Sequence, residues 1–287
     1  MSPLTLVACG DDLGLHPATN EGIAMSHDDG VLRAASLMVT GAAAEDAVAV
    51  AEERPDLSIG VHLSLLDVPP AGDPAPWNGL LDGRGCFPPS ADGHALLRVA
   101  TRASRRPRAA LDEFAAQLRR AAALGVRPTH VDGHNHLHLL PALFSGVVSL
   151  CAEQGIGWVR VPRAPLRRLL WRRWAMDRGG AKGTLIRAVG RTAERALRPP
   201  LRCADHVVGL GLHGSAATPA NGQALVQLLS PGITEWIVHP VAHSVDFRRR
   251  FPWGADWGEE RSLLRDPALG RGLAERDVRV AGFGAIG

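Results

Sequence analysis

Short apolar runs alternate with helix-like segments along nearly the whole chain, and this alternation constrains the fold more than any other feature. Repeated strand–helix units favour a parallel sheet. About eight such units in 287 residues predict a (β/α) barrel of the α/β class. The strand-like runs are Leu4–Cys9, Ala35–Thr40, Leu57–Leu65, Pro128–Val131, Gly157–Val161, Asp205–Leu210, Glu235–Val241 and Val278–Phe283.

The domain organisation follows from what interrupts this pattern. The chain has no internal repeat and no low-complexity linker, so we expect a single domain over residues 1–287. Segment 67–92 is rich in Pro, Gly and Asp, which predicts a long loop and a candidate lid over an active site. We also expect an inserted basic helical segment at 163–202.

The net charge of +3 is unevenly distributed. Between Arg160 and Arg202 there are thirteen basic residues and two acidic ones, which leaves nineteen basic and twenty-seven acidic residues elsewhere. Tryptophans and leucines interleave with these arginines, as in amphipathic helices that lie on anionic membranes or cover a ligand mouth. A solvated helical hairpin packed on the body explains the pattern equally well. No nucleic-acid-binding motif accompanies the charge, so we expect no nucleic-acid partner.

Cysteine spacing and hydropathy bear on the compartment. The cysteines at positions 9, 86, 151 and 203 are far apart and form no CxxC pair, which favours reduced thiols. The N-terminal residues lack the basic and apolar regions of a signal peptide, and no apolar stretch is long enough to span a bilayer. We expect a cytoplasmic protein, with contact at the inner face of the membrane through 163–202 as an open alternative. The sequence also leaves a homodimer open.

Acidic residues and histidines lie near or directly after the ends of four of the strand-like runs. Asp11 and Asp12 come directly after the first run, His62 lies near the end of the third, and His239 lies in the seventh. Four more follow the fourth run, namely Asp132, His134, His136 and His138. Because barrel enzymes carry their catalytic groups at the C-terminal ends of strands, we expect these side chains to share one site.

The residue types at this site indicate metal chemistry. Carboxylates and imidazoles are costly to bury unless they are paired or bind a metal. Two carboxylates with imidazoles from separate segments suit a divalent metal that activates water, so the chain is interpreted as a metal-dependent hydrolase. One of the two aspartates can bind the metal while the other accepts a proton from water. Neighbours on an ideal strand point to opposite faces, so this pair requires an irregular turn, which Gly10 and Gly14 would allow.

The histidines can be given separate roles. His62 supplies an imidazole from its own strand. Of the three later histidines, His134 lies closest to the strand end and is our choice of ligand. His136 and His138, together with Asp132, would contact substrate or support the ligands.

Two further histidines are candidates on chemical grounds. His239 suits a general acid, because histidine titrates near neutral pH and an amine leaving group must receive a proton. The alternative for His239 is a buried structural histidine before Pro240. His213 stands in a loop-like Gly-Leu-His-Gly-Ser sequence that could contact substrate.

These motifs resemble those of the YdjC-like carbohydrate deacetylases. The family's opening motif is similar to Gly10-Asp-Asp-Leu-Gly-Leu15 followed by Asn20-Glu-Gly22. Three more motifs follow in the family's order: Ala35-Ser-Leu-Met-Val39, Gly60-Val-His-Leu63 and Pro128-Thr-His-Val-Asp-Gly-His-Asn-His-Leu-His138. Segments 204–210 and 232–240 look most like the hopanoid-biosynthesis branch of the family, called HpnK. Leu13, and Cys9 before Gly10, depart from the usual motif but carry no ligand chemistry.

The resemblance implies a fold, a reaction and a set of roles. It implies a distorted TIM-like (β/α) barrel that removes an N-acetyl group from an amino sugar with one divalent metal ion. The family's metal ligands map onto Asp12, His62 and His134, and its catalytic base onto Asp11. The metal could be Zn, Mg, Co or Mn. The HpnK branch would act on an N-acetylglucosaminyl hopanoid lipid.

Three alternatives remain open from the sequence. The nearest is a deacetylase of soluble chito-oligosaccharides or diacetylchitobiose. A metal-dependent phosphoesterase would use the same ligand types. A non-catalytic, metal-stabilised scaffold is disfavoured, because a structural site needs neither an open coordination position nor a spare carboxylate.

Overall fold

One parallel sheet forms the centre of the molecule. The computed structural model describes residues 3–162, 186, 189–190, 192–210, 212–253 and 257–286. Within these ranges every strand pairing is parallel. The strands are β1 (Leu4–Leu13), β2 (Leu32–Leu37), β3 (Ser58–Leu63), β4 (His130–Gly133), β5 (Trp158–Val159), β6 (His206–Val208), β7 (Gly232–Val238) and β8 (Arg279–Val280).

The strand order makes this sheet a half-barrel. It runs β5-β4-β3-β2-β1-β7-β6, and β8 pairs with β1 off this path. The last strand is short and pairs only with Thr5 and Leu6, at the beginning of β1. On the outer side of β5, Trp158 forms a single parallel bridge with Arg202. The prediction of a parallel α/β barrel is therefore confirmed as a parallel half-barrel.

Helices cover the sheet and follow most of the strands. α1 shows why they begin where they do: Pro17 fixes the first turn, and the His16 side chain accepts the Ala18 N–H. The described helices are α1 (Pro17–Asp28), α2 (Ala44–Glu52), α3 (Gly93–Arg105), α4 (Pro107–Ala123), α5 (Phe144–Glu153), α6 (Pro219–Leu228), α7 (Val245–Arg250), α8 (Gly258–Leu264) and α9 (Pro267–Glu275).

The core lies on both faces of the sheet. Leu6 to Cys9 in β1 are completely buried, as expected for a parallel strand covered on both sides. All eight predicted strands are present at the expected places in the chain, but none has the predicted bounds at both ends. The second begins at Leu32 and ends at Leu37, and the last contains only Arg279 and Val280, after which the chain turns at Phe283–Ala285.

Segment 67–92 is a long loop whose two ends meet. The Asp67 N–H donates to the Pro88 carbonyl at 3.1 Å, and the Phe87 N–H donates to the Val68 carbonyl at 2.9 Å. Trp77 and Phe87 are buried and pack edge to face, which anchors the loop on the body. Its only helical turn is the 3-10 turn Ala75–Trp77, and its role as a lid stays a prediction.

The predicted basic helical insertion at 163–202 falls largely outside the described residues, which resume only in part at 186. Among the helices that the structure describes, none is long and apolar enough to cross a membrane.

Candidate active site

A β-bulge at the end of β1 brings the adjacent aspartates into one site. Gly10 pairs with Ala35 and Leu13 pairs with Leu37, so β1 carries one more residue than β2 over this interval. Asp12 takes a positive φ of 64°, a left-handed conformation that Asp tolerates better than most residues. The expected irregular turn is confirmed, and Asp11 and Asp12 both line the same cavity.

Asn20 holds this turn in place. Its Oδ1 accepts the Gly14 N–H at 2.7 Å, and its Nδ2 donates to the Ala43 carbonyl at 3.0 Å. Gly14 has a φ of 85°, and a Cβ there would lie 2.8 Å from the Leu37 side chain. The glycine and the asparagine of the opening motif therefore fix the backbone that carries the two carboxylates.

Asp12, His62 and His134 converge on one point. The Asp12 Oδ1 lies 2.9 Å from the His134 Nδ1 and 3.4 Å from the His62 Nε2. The two imidazole nitrogens lie 3.3 Å from each other. All three side chains are buried, and they come from the ends of β1, β3 and β4.

Two further carboxylates orient the two imidazoles. The His62 Nδ1–H donates to Asp132 at 2.7 Å, which leaves its Nε2 facing Asp12. The His134 Nε2–H donates to Asp67 at 2.9 Å, which leaves its Nδ1 facing the same point. Metal-binding histidines commonly donate their second ring N–H to a carboxylate in this way. Asp67 stands at the base of the 67–92 loop, so the loop and the site share a residue.

The charges at this point favour a cation. Both Asp12 carboxylate oxygens are buried and accept no hydrogen bond within the described part of the chain. Burial opposes the charged form of His134, but Asp12 and Asp67 outweigh it and raise the pKa of that imidazole to about 10. A carboxylate and two imidazoles form a set that divalent transition metals bind. These three residues therefore fit a divalent metal ion.

A buried arginine connects Asp11 with two other carboxylates. Arg160 donates to both Asp11 oxygens at 2.7 Å, and its other contacts are Asp132 at 2.7 Å and Glu235 at 2.6 Å. Its side chain is only 1% exposed, although the sequence places it at the start of the basic stretch. This paired geometry is the bidentate arrangement in which arginine binds carboxylates most strongly.

The same network sets the protonation of two carboxyl groups. Burial would raise the pKa of Asp11, but the Arg160 guanidinium outweighs it and holds that pKa well below its usual range. For Glu235, burial wins over Arg160, and the nearby Asp132 and Asp11 add to it, so its pKa rises to about 7. Asp11 is therefore a fixed carboxylate at neutral pH, whereas Glu235 titrates there.

His239 faces Asp11 from the end of β7. Its Nε2 lies 3.9 Å from the Asp11 Oδ2, and its Nδ1 lies 3.7 Å from the Glu260 Oε2. Burial disfavours the imidazolium, but Glu260 and then Asp11 and Asp12 raise the pKa of His239 above its ordinary value. Glu260 also contacts His213 at 3.3 Å. Against the effect of burial, His213 and His239 lower the pKa of Glu260 to about 2.

The groups described above open into a cavity of about 390 Å³. Trp253 and Trp257 form aromatic walls, and Ser90 brings the end of the 67–92 loop to the rim. Asp11, Asp12, His62, His134, His213 and His239 all contribute to the lining. Such a concave, partly aromatic pocket with converging polar groups is the usual form of a small-molecule site.

The three histidines after β4 point in different directions. The segment His134–Leu139 is a kinked 3-10 turn in which Asn135 and His136 have positive φ angles of 51° and 59°. His136 lines the cavity, whereas His138 is completely buried and its Nε2–H donates to the Arg160 carbonyl at 3.0 Å. Gly133 makes room for this ring, since a Cβ there would lie 2.6 Å from the His138 Nδ1. The structure thus places His138 outside the cavity lining, against the Arg160 backbone, and places Asp132 against the His62 ring.

Sequence reasoning did not identify Asp67, Arg160, Glu235 and Glu260. Arg160 and Glu235 stand inside strand-like apolar runs, the same signal that identified His62 and His239. Applied to every charged residue, that signal would have found both. Asp67 and Glu260 lie in a loop and a helix, where a charged residue is ordinary and carries no such signal.

Fold and site together define a class of protein: a parallel α/β half-barrel with a carboxylate–imidazole cluster at the C-terminal ends of its strands. The chain belongs to the YdjC-like protein family, whose model matches residues 5–275. The family prediction is confirmed, while the HpnK branch stays a prediction.

Named relatives agree with this assignment, and a solved structure agrees with the fold. A carbohydrate deacetylase of Geobacillus stearothermophilus is 28% identical over 279 residues, which cover 97% of this chain and 96% of that protein. A carbohydrate deacetylase of Brevibacillus brevis is 36% identical over 159 residues, but the match spans only 60% of that protein. A solved structure from Enterococcus faecalis V583, whose description proposes cellobiose-phosphate cleavage, superposes with a TM-score of 0.72 at 19% identity over 99% of both chains. That likeness supports the fold alone.

Proposed function

We propose that this protein is a metal-dependent carbohydrate N-deacetylase. The observation that carries the proposal is the buried Asp12–His62–His134 cluster, beside which Asp11 and His239 face each other across 3.9 Å. Carbohydrate deacetylases among its relatives support the same reaction class, one of them along nearly the whole chain. The cavity walls support a sugar ligand, because the faces of Trp253 and Trp257 can pack on the apolar face of a pyranose ring.

In the proposed mechanism Asp12, His62 and His134 would hold one divalent ion. When bound, such an ion supplies Lewis acidity, which activates water and stabilises negative charge on the acetyl oxygen. Asp132 and Asp67 keep the two imidazoles in the tautomers that leave His62 Nε2 and His134 Nδ1 free to bind.

Asp11 and His239 would divide the proton transfers. Asp11 takes a proton from the attacking water, and His239 donates the Nε2 proton to the leaving amine, so that acetate and a free amino sugar result. Arg160 fixes both Asp11 oxygens and keeps the group ionised.

For the substrate we propose an N-acetylglucosaminyl hopanoid lipid, on the strength of the motifs at 204–210 and 232–240. The basic, Trp-bearing stretch would suit contact with a lipid at the inner face of the membrane. The second candidate is a soluble chito-oligosaccharide or diacetylchitobiose, which is favoured by relatives named simply as carbohydrate deacetylases.

The test is acetate release by purified, metal-reconstituted protein from an N-acetylglucosaminyl hopanoid and from diacetylchitobiose, with chelator-treated protein as the blank. Release from the lipid alone supports both reaction and substrate. Release from the disaccharide alone keeps the reaction and refutes the hopanoid. No acetate from either, with metal bound, refutes the deacetylase, and phosphate release from simple esters would then identify the phosphoesterase.

A further inference from the structure

A second group of residues of metal-ligand type includes two histidines that line the same cavity as Asp12. His213 follows β6, His239 follows β7, and Glu260 lies in α8. One donor atom from each of these residues lies within 4.8 Å of the others. None of them belongs to the Asp12–His62–His134 cluster.

Glu260 is held rigidly at the centre of this second cluster. Its side chain is 1% exposed, its Oε2 accepts the His239 N–H at 2.8 Å, and its Oε1 accepts the Gly214 N–H at 3.2 Å. A carboxylate has about four lone-pair sites, so each oxygen can still bind one more partner.

The two imidazoles present their Nδ1 atoms to this carboxylate. The His213 Nδ1 lies 3.3 Å from Oε1, and the His239 Nδ1 lies 3.7 Å from Oε2. Both nitrogens are buried, and neither makes a hydrogen bond with any described residue. In a tetrahedral site with bonds of about 2.1 Å, neighbouring donor atoms are about 3.4 Å apart. The observed spacings are close to that value.

We propose that His213, His239 and Glu260 form a second divalent-metal site that prefers an ion such as zinc. Two imidazole nitrogens and one carboxylate oxygen are a common donor set for zinc, and the cavity leaves room for water or a ligand to complete the coordination. Trp257 packs against both imidazole rings, at centroid distances of 5.7 Å from His213 and 4.8 Å from His239, and holds their orientation.

Occupation of this site has a consequence that rests on the proposed function. An ion bound to the His239 Nδ1 replaces the proton there and leaves a neutral ring that keeps its Nε2 proton. Such a ring is a poor acid near neutral pH, so a second zinc ion would inhibit deacetylation. Since general acids contribute about 10²–10⁴-fold, the loss should be of that order.

The experiment measures zinc binding by calorimetry and elemental analysis, without any substrate. Chelator-treated wild-type protein is titrated with zinc chloride beside His213→Asn, Glu260→Gln and His62→Asn. The control is His206→Asn, which removes a histidine at the opposite end of β6. Circular dichroism verifies that each variant is folded. If His213→Asn does not fold, the second site is judged from Glu260→Gln alone.

We expect two zinc ions in the wild type and in the control, and one in each of the other three variants. The proposal is overturned if His213→Asn and Glu260→Gln bind as much zinc as the wild type. Loss of one ion in these two variants, with normal binding by His62→Asn, would support the second site and refute the first. The inhibition is then measured as acetate release at rising zinc concentration.

Discussion

At the scale of single residues, the site depends on several backbone positions with positive φ and on buried partners. The positive φ of Asp12 turns its carboxylate toward His62 and His134, while Asp11 points to Arg160. Backbone strain of this kind persists where surrounding contacts fix it, and here Asn20 and Gly14 supply them. Two adjacent residues of the same type can thus carry different chemistry.

The Asp11→Asn substitution tests that division. We expect turnover to fall by about 10²–10⁴-fold, because the amide of Asn cannot accept a proton from water. The metal content should stay unchanged, because residue 11 is not one of the proposed metal ligands. Acetate release and elemental analysis measure the two quantities. The control is Asp46→Asn on the exposed face of α2, and full activity of Asp11→Asn would remove Asp11 from the role of base.

Asp132→Asn tests how the metal ligands are oriented. The amide is a weaker acceptor for the His62 Nδ1–H, so we expect the metal affinity to drop about 10–100-fold. A competition titration with a chromophoric chelator measures this affinity. Asp112→Asn, at an exposed position of α4, should bind metal as the wild type does; equal affinities in the two variants would contradict the assigned role of Asp132.

At the scale of elements, the buried ion network joins β1, β4, β5 and β7. Arg160, directly after β5, is the one guanidinium that contacts all three of Asp11, Asp132 and Glu235 within the described residues. Its removal would leave three buried carboxylates without their shared partner. The network therefore contributes to stability as well as to the geometry of the site.

We expect Arg160→Ala to lower the free energy of unfolding by about 3–5 kcal/mol, the usual cost of breaking a buried ion pair. Urea denaturation followed by circular dichroism measures the change. Arg108→Ala is the matched control, because the Arg108 side chain is 90% exposed and its ion pair with Asp112 lies at the surface. A loss below 1 kcal/mol in Arg160→Ala would contradict the account.

At the scale of the whole molecule, the half-barrel collects strand ends that are far apart in sequence. Its parallel strands bring the C-terminal ends of β1, β3, β4, β5 and β7 to one edge, where the ionisable groups accumulate. Charge concentrated in a buried region makes global stability depend on pH, and the folded pKa of Glu235, about 7, lies close to neutrality.

The Glu235 carboxyl is protonated more readily in the folded protein than in the unfolded chain, because its pKa rises from 4.5 to about 7. Its contribution to stability therefore decreases as pH rises between these values. Glu235→Gln keeps an acceptor for Arg160 but does not titrate. We expect this variant to gain about 1–3 kcal/mol relative to the wild type between pH 4.5 and pH 8.

Urea denaturation at several pH values between 4.5 and 8 measures this gain. Glu259→Gln, at an exposed position of α8, should follow the wild-type pH dependence throughout. If the free energy of unfolding of Glu235→Gln changes with pH in the same way as that of the wild type, Glu235 does not titrate as described.

Much of the site could be predicted because its residues interrupt apolar runs. His62 and the Asp11–Asp12 pair stand at strand ends in the sequence itself, and the need for an irregular turn follows from strand geometry. Arg160 is harder to single out in the same way, because in the sequence it begins the basic stretch 160–202. Its distance of 149 residues from Asp11 leaves no local sign of their contact.

The sequence by itself determined the alternation of strands and helices, the family, and the residue types that gather at one edge of the sheet. Hydrophobic periodicity and short motifs are local, and local patterns can be read along the chain. Only the tertiary structure decided that the sheet is a half-barrel, that His138 points behind Arg160, and that Glu260 joins His213 and His239. These features depend on contacts between distant segments, which burial and charge pairing select only when the chain is folded.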